Sequence, residues 1–221
     1  MTRTGSLFKF RPFDKTSIEL LVNRELWFAK PDSLNDPFEC QSNLDTIFST
    51  MSDSSNTSGV LSRLNSMGIC SFSRARKNQL MWAHYADEHK GFCIGFNEAK
   101  LIKSEPKIKP IDVKYQSNFP SKFDIHNFTD RLSKEDYYSI IGTKYTYWEY
   151  ERERRLVLEE SKAFTFSTDS VVSIAFGLRM SERDKKTLKR LLSTPEWKHL
   201  KWHQAEKSKK KLALNFPEIK I

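Results

Sequence analysis

Residues 68–96 join two strand patterns through a short helix, and this stretch sets the frame for the rest of the chain. Apolar and small polar residues alternate over 69–73, which is the period of a half-buried strand. Asn78 is placed to cap the helix that follows, because its side-chain oxygen can accept the free N–H groups of the first turn. After Gly91, apolar residues alternate again over 92–96. The stretch therefore predicts strand, loop, short helix, turn and strand.

The remaining chain mixes short strand patterns with scattered helices, without a regular alternation of the two. Residues 7–11 and 171–176 are predicted strands. Ser181 is predicted to cap a helix whose inner face is formed by Leu188, Leu191 and Leu192. This mixture predicts the α+β class. A chain of 221 residues is expected to form a single domain, with a basic helix and strands over 181–221 at its end.

Several functional classes lack their signatures in this sequence. With only 7 Gly, the chain contains neither GxGxxG nor GxxxxGK[ST], so the common dinucleotide and P-loop motifs are excluded. No apolar run approaches the ~20 residues of a membrane-spanning helix, and the first residues lack the apolar core of a signal peptide, so a cytoplasmic location is expected. Cys40, Cys70 and Cys93 are isolated and lack zinc-ligand spacing, so no metal is predicted, and the two in apolar strands, Cys70 and Cys93, are expected to be small buried hydrophobes.

The net charge of +9 is concentrated near the C-terminal end. Residues 179–221 contain 13 Lys or Arg against 5 Asp or Glu, and four of the lysines fall within 207–211. A basic segment beside a near-neutral body favours an anionic partner, most simply nucleic acid, either RNA or DNA. The alternative is a solvated basic surface without a partner.

Arg11 and the loop over 35–39, with the sequence NDPFE, form the first candidate site. An arginine at the exit of a strand can bind a phosphate or carboxylate through two parallel N–H bonds. The alternative is a surface ion pair between Arg11 and either Asp14 or Glu39.

The second candidate site combines two serines with an aromatic helix. Ser71 and Ser73 share one face of their predicted strand, and Trp82 and Tyr85 could form a wall for a flat ring system. His84 could be an acid, a base or a hydrogen-bond donor. The alternative is a core histidine within an aromatic cluster.

The third candidate site is the run WEYERERR over 148–155. In a strand over 149–158, Glu149, Glu151 and Glu153 would share one face, and three neighbouring carboxylates persist only with cationic partners or where a carboxylate is needed. Arg155 would lie on the same face and hold Glu153 ionised, which leaves Glu151 less constrained and makes it the first choice for a catalytic carboxylate. On a helix, the same residues would form a solvated face of mixed charge.

Four segments together resemble an uncharacterised family of bacterial and phage proteins, a domain of unknown function often encoded near mobile elements and defence genes. They are LFKFR, ELWFAKPDSLNDPFE, ICSFS with NQLMWAHYADEHKGFCIGF, and WEYERERRLV. The paired signatures NDPFE and MWAHYA with KGFCI are the specific part of this likeness. The resemblance covers residues 7–180 as a family core and implies no activity by itself.

More distantly, the order of the three candidate sites is similar to that of the ADP-ribosyltransferase superfamily. The likeness implies split mixed β-sheets with peripheral helices, and NAD as the cofactor held between two small sheets. Cleavage of nicotinamide from ribose passes through an oxocarbenium-like transition state, which a carboxylate stabilises. The usual Ser-Thr-Ser and Glu-x-Glu motifs are not matched in their context, although EYE and ERE occur. The implied residues are Arg11, Ser71, Ser73, Trp82, His84 and Tyr85 for NAD, and Glu151 or Glu153 for catalysis.

The sequence is compatible with three different functions. The first is an ADP-ribosyltransferase-like enzyme that modifies nucleic acid or a nucleic-acid-associated protein, as a toxin or phage-defence effector. The second is a non-catalytic nucleic-acid-binding module, based on the basic segment. The third is a nuclease or other hydrolase that uses His84 with a carboxylate. The sequence leaves the acceptor and the oligomeric state open.

Overall fold

A computed structural model describes residues 5–36, 38–40, 54–118 and 132–220, with side chains from residue 59 onward in the third range. No helix within these ranges is long and apolar enough to cross a membrane. Within the same ranges, short 3₁₀ segments occur at Pro31–Ser33, Thr146–Glu151, Thr168–Ser170 and Pro195–Trp197. The α-helices are α1 (Lys15–Val22), α2 (Ser54–Ser66), α3 (Gln79–Tyr85), α4 (Glu98–Ser104), α5 (Lys134–Ile141) and α6 (Glu182–Leu191).

The strands are short and pair mostly in antiparallel fashion. They are β1 (Ser6–Arg11), β2 (Glu25–Trp27), β3 (Gly68–Ser73), β4 (Phe92–Asn97), β5 (Lys109–Asp112), β6 (Lys114–Tyr115), β7 (Thr143–Lys144), β8 (Glu153–Leu158), β9 (Ala163–Thr165), β10 (Val171–Phe176), β11 (Lys201–Gln204), β12 (Glu206–Lys207), β13 (Leu214–Asn215) and β14 (Glu218–Ile219).

The contacts divide the chain into two compact units. The first unit comprises Met1–Leu26, Phe72–Lys107 and Phe164–Ile221. The second comprises Trp27–Ser71 and Ile108–Ala163.

The first unit is built on a mixed sheet with the strand order β14-β11-β10-β4-β1. Strand β4 is antiparallel to β1, from Ser6↔Asn97 to Arg11↔Phe92, and it is also antiparallel to β10. Strand β10 is parallel to β11, which makes the sheet mixed. Strand β4 is therefore an interior strand with a partner on each edge, and the burial of its large side chains, including Phe92, Ile94 and Phe96, fits this position.

The second unit contains the antiparallel pair β5–β8, with Lys109↔Val157 at one end and Asp112↔Arg154 at the other. Strand β8 neighbours β3, and a parallel pair joins β6 to β7. Apolar side chains from α2, β3, α5 and β8 form one core together with Cys40 and Met67: Val60, Leu64, Ile69, Tyr137, Ile140, Ile141 and Val157.

The α+β class predicted from the sequence is confirmed, and so are two predicted caps. The side chain of Asn78 accepts the N–H of Leu80, and the hydroxyl of Ser181 accepts the N–H of Asp184. The inner face of α6 is also as predicted, because Leu188 and Leu192 are buried. The cysteines are free and buried. The split-sheet arrangement of the ADP-ribosyltransferases remains a prediction.

Candidate functional site

Five buried charged side chains meet in the second unit. Each is at most 6% exposed, although charged residues are almost never fully buried without partners. The group contains three carboxylates and two cations, so its formal charge is −1 when all members are ionised. We call it the ion cluster, and its members are Glu39, Lys144, Glu151, Glu153 and Arg155.

Local backbone structure brings these residues into position. Asp36 fixes a turn by accepting the N–H of Phe38 on its side chain and that of Glu39 on its carbonyl oxygen. The 3₁₀ segment Thr146–Glu151 then ends at Arg152, which is left-handed with φ 46°. This residue reverses the chain, so that β8 begins at Glu153.

Lys144 lies at the centre of the three carboxylates. Its Nζ is 2.7 Å from Oε1 of Glu39, 2.7 Å from Oε2 of Glu151 and 3.4 Å from Oε2 of Glu153. The ammonium group therefore takes the place that a metal ion would occupy among three carboxylates. Consistently, no group of three or more His, Cys, Asp or Glu within the described ranges is arranged to hold a metal ion.

Arg155 binds two of the same carboxylates through its planar guanidinium. Its Nε donates to Oε1 of Glu153 at 2.8 Å and its Nη2 to Oε2 at 3.0 Å, which is a bidentate pair. Nη2 also donates to Glu39, and Nη1 donates to the carbonyl oxygen of Ile141. The arginine, at 0% exposure, thus has partners along its whole fork.

These contacts keep Glu153 and Lys144 charged. Burial by itself would raise the pKa of Glu153, but the charge and hydrogen bonds of Arg155, the charge of Lys144 and a hydrogen bond with Ser71 lower it to about 2. Burial would lower the pKa of Lys144, but Glu153, Glu39 and Glu151 together raise it above its ordinary value. Both groups are therefore ionised at neutral pH.

The expected pairing of Arg155 with Glu153 is confirmed, whereas the expected continuous strand over 149–158 is wrong. Residues up to Glu151 are in the 3₁₀ segment, so the three glutamates do not alternate along one strand. Glu151 is also not the less constrained carboxylate, because Lys144 holds it at 2.7 Å. The sequence missed Lys144 altogether, since a single lysine after α5 carries no motif.

Ser71 is the predicted serine that reaches the ion cluster. Its hydroxyl is hydrogen-bonded to Glu153, and its side chain is half-buried whereas the carboxylates are buried. Ser73 lies in the first unit, where it is 1% exposed and its Oγ accepts the N–H of Ala75 at 3.0 Å.

Arg11 makes hydrogen bonds within the first unit. Its Nε donates to Oγ of Ser17 at 3.0 Å and its Nη2 to Oγ1 of Thr16 at 2.8 Å, both in the first turn of α1. The alternative, an ion pair with Asp14 or Glu39, is not found, since within the described ranges Arg11 forms no ion pair and these two partners are neutral hydroxyls.

The predicted aromatic wall divides into a buried part and an accessible part. Trp82 is 0% exposed, stacks on Phe216 with ring centroids 5.5 Å apart, and donates its indole N–H to the carbonyl oxygen of Arg76. In this conformation the ring offers no surface to a ligand. Tyr85 is half-buried and His84 is exposed, with an edge-to-face contact between their rings.

Together, the fold and the cluster define an α+β protein with a large mixed sheet and a buried group of three carboxylates and two cations. The sequence model of a family described as "Protein of unknown function (DUF2971)" matches residues 81–156 of this chain. This supports the expected similarity to a domain of unknown function, over a shorter range than the expected 7–180. The matched range includes Glu151, Glu153 and Arg155, whereas Glu39 lies outside it. No curated protein and no solved structure matches the chain.

Proposed function

We propose that the protein is an ADP-ribosyltransferase-like enzyme that cleaves NAD, with Glu153 as the carboxylate that stabilises the reacting ribose. The observation that carries the proposal is the hydrogen bond between Ser71 and Glu153, which joins the predicted serine motif to the predicted carboxylate motif. Glu153 replaces Glu151 as the first choice, because Ser71 and Arg155 fix its orientation.

The protonation state of Glu153 fits electrostatic stabilisation. In the proposed reaction the bond between nicotinamide nitrogen and ribose carbon breaks, and nicotinamide leaves with the electron pair. The ribose carbon becomes positively charged, and a nucleophile attacks it and releases its proton to water. A carboxylate with a pKa of about 2 remains negative throughout and can stabilise this positive charge.

The same pKa argues against the hydrolase alternative in which a carboxylate acts as a general base. A general base works best when its pKa is near the working pH, and a group with a pKa of about 2 accepts a proton poorly at pH 7. A hydrolase that uses Glu153 as its general base, which is one form of the third function considered from the sequence, is therefore not favoured.

Access to the carboxylate is proposed to run past Ser71, which is its half-buried partner. A ribose hydroxyl that exchanges with the serine hydroxyl would reach Glu153 without breaking the pair with Arg155. The other residues predicted to contact NAD lie in the first unit and stay predictions: Arg11, Ser73, Trp82, His84 and Tyr85.

The test is incubation of the purified protein with NAD labelled in the adenylate part, alone and with cell extract. Release of nicotinamide and transfer of label into protein, RNA or DNA are measured. Glu153→Gln should lower turnover by ~10² or more, because it removes the charge but keeps the shape. NAD affinity should change little, because the charge acts mainly in the transition state.

Two variants separate chemistry from folding. Glu159→Gln is the matched control, since Glu159 directly follows the same strand but its side chain is 48% exposed. Ser71→Ala should lower turnover while the ion pairs of Glu153 remain. Absence of nicotinamide release from the wild type, or full turnover in folded Glu153→Gln, would refute the proposal.

A further inference from the structure

Helix α6 carries five Lys or Arg in ten residues, and they are sorted by face. The inner face is apolar, since Leu188 and Leu192 are buried. Arg183, Lys186 and Arg190 are exposed and follow each other at spacings of three and four residues. This spacing places the three cations on one side of a helix. We call these three residues the cationic stripe.

The other cations of the helix are engaged in contacts within the protein. Lys185 is 2.8 Å from Glu182, and the ammonium of Lys189 lies 5.6 Å from the ring centroid of Phe176. By contrast, no member of the cationic stripe forms an ion pair within the part of the chain that the structure describes. Two cations of the helix are thus paired with a carboxylate or an aromatic ring, and the three cations of the stripe are exposed to solvent.

The cationic stripe also borders a concave surface. A depression of ≈ 450 Å³ is lined by the stripe together with Thr187, whose hydroxyl donates to the carbonyl oxygen of Arg183 at 3.0 Å. Arginine guanidinium and lysine ammonium groups commonly contact phosphate oxygens. The combination fits a ligand with several phosphates better than one carrying a single charge.

We propose that the cationic stripe binds the sugar–phosphate backbone of nucleic acid without reading its sequence. Along the helix axis the three charges are separated by about 4.5 Å and about 6 Å, at 1.5 Å of rise per residue. Duplex DNA presents one negative charge per ~1.7 Å of its axis, so an extended polyanion can meet all three cations at once. The function does not depend on NAD chemistry.

An anionic membrane fits the helix less well. Helices that bind membrane surfaces insert an apolar face rich in Trp, Phe or Leu. The leucines of α6 are instead packed inside the first unit, with Leu188 at 0% exposure.

The second basic stretch, Lys209 to Lys211, lies in the loop between β12 and β13 rather than on a helix. Lysines on a loop lose more conformational freedom when they bind than arginines already held on one helix face. In the sequence both stretches belong to one basic segment, and the structure provides α6 as the more organised surface.

The experiment measures binding of a fluorescent 20-bp duplex DNA by anisotropy between 50 and 200 mM salt. The variant Arg183→Ala/Lys186→Ala/Arg190→Ala keeps good helix formers on an exposed face, so the fold should persist. Each lost phosphate contact lowers the slope of log affinity against log salt by ~0.9, so the triple variant should lose about 2.7. Over this salt range, wild-type affinity should therefore fall about 40-fold more than that of the variant.

A matched control removes the same charge elsewhere, through Lys209→Ala/Lys210→Ala/Lys211→Ala, since these lysines are also exposed. The proposal expects the control to keep most of the wild-type slope. An unchanged slope in the α6 variant, or an equal loss in the control, would overturn it. Binding to anionic vesicles that the α6 variant abolishes, without binding to DNA or RNA, would assign the surface to membranes and also overturn it.

Discussion

Replacement of Lys144 by methionine is expected to destabilise the protein more than any exposed charge change. The side chain of Lys144 is 2% exposed, and its ammonium lies 2.7 Å from both Glu39 and Glu151. Its loss changes the formal charge of the ion cluster from −1 to −2 and leaves three carboxylates with Arg155 alone. Removal of one partner from a buried ion pair costs ~3–5 kcal/mol.

The assay is urea unfolding at pH 7 with thermal unfolding as a second measurement. For a chain of this length, a loss of ~3–5 kcal/mol lowers Tm by roughly 6–20 °C. The control is Lys134→Met, because Lys134 also pairs with a glutamate, at 3.2 Å from Glu159, but its side chain is 62% exposed. An exposed pair contributes at most ~1 kcal/mol.

A second variant tests the electrostatic reason directly. Lys144→Met combined with Glu151→Gln returns the charge of the cluster to −1, so it should be more stable than Lys144→Met alone. If Lys144→Met and Lys134→Met differ by less than ~1 kcal/mol, the cluster is not the stabilising network inferred here. If Glu151→Gln makes the lysine variant worse, the reasoning from net charge is wrong.

Three further predictions concern pH, packing and thiols. The pKa of Glu153 is about 2 when folded and 4.5 in its unperturbed state. Its contribution to the free energy of unfolding is therefore present above pH 4.5 and is lost as pH falls toward 2. The free energy of unfolding should accordingly depend less on acid pH in Glu153→Gln than in the wild type. Gly91→Ala should destabilise by ~1–3 kcal/mol in urea unfolding, since a Cβ there would lie 2.1 Å from a backbone carbonyl oxygen, whereas Gly59→Ala in α2 meets nothing within 4 Å and should stabilise by ~0.5–1 kcal/mol. Burial raises the pKa of the Cys40 thiol to about 12 and that of Cys93 above its usual range, so neither should react with a thiol reagent at pH 8 until the protein is unfolded, and rapid labelling of the native protein would contradict this.

Local features of the fold were predictable from the sequence. Strand β10 has the predicted bounds, and Asn78 and Ser181 cap their helices as expected. Each of these rests on interactions between residues two to four positions apart: alternation of side chains, or one side chain bonded to a nearby N–H. Such interactions can be predicted from a few neighbouring residues of the sequence.

The conformation of the run WEYERERR could not be predicted from local sequence. Its residues fit a strand or a helix about equally well, and the chain adopts neither over its first half. The left-handed conformation of Arg152 places Glu151 and Glu153 on either side of a reversal, where both reach Lys144. No residue type in the run signals that conformation, because positive φ is uncommon for residues other than glycine and arginine is not among those enriched there.

By itself, therefore, the sequence determined the class of the fold, the helix caps, the paired charge of Glu153 and Arg155, and the basic character of the C-terminal segment. Only the tertiary structure decided which charges are buried together and which are left to solvent. Glu39 and Arg155 are 116 positions apart, and Ser71 reaches Glu153 from another strand. Whether a charge becomes part of a buried network or of an open binding face depends on the desolvation it suffers and the partners it meets. Both depend on three-dimensional packing, so they cannot be predicted from the spacing of residues along the chain.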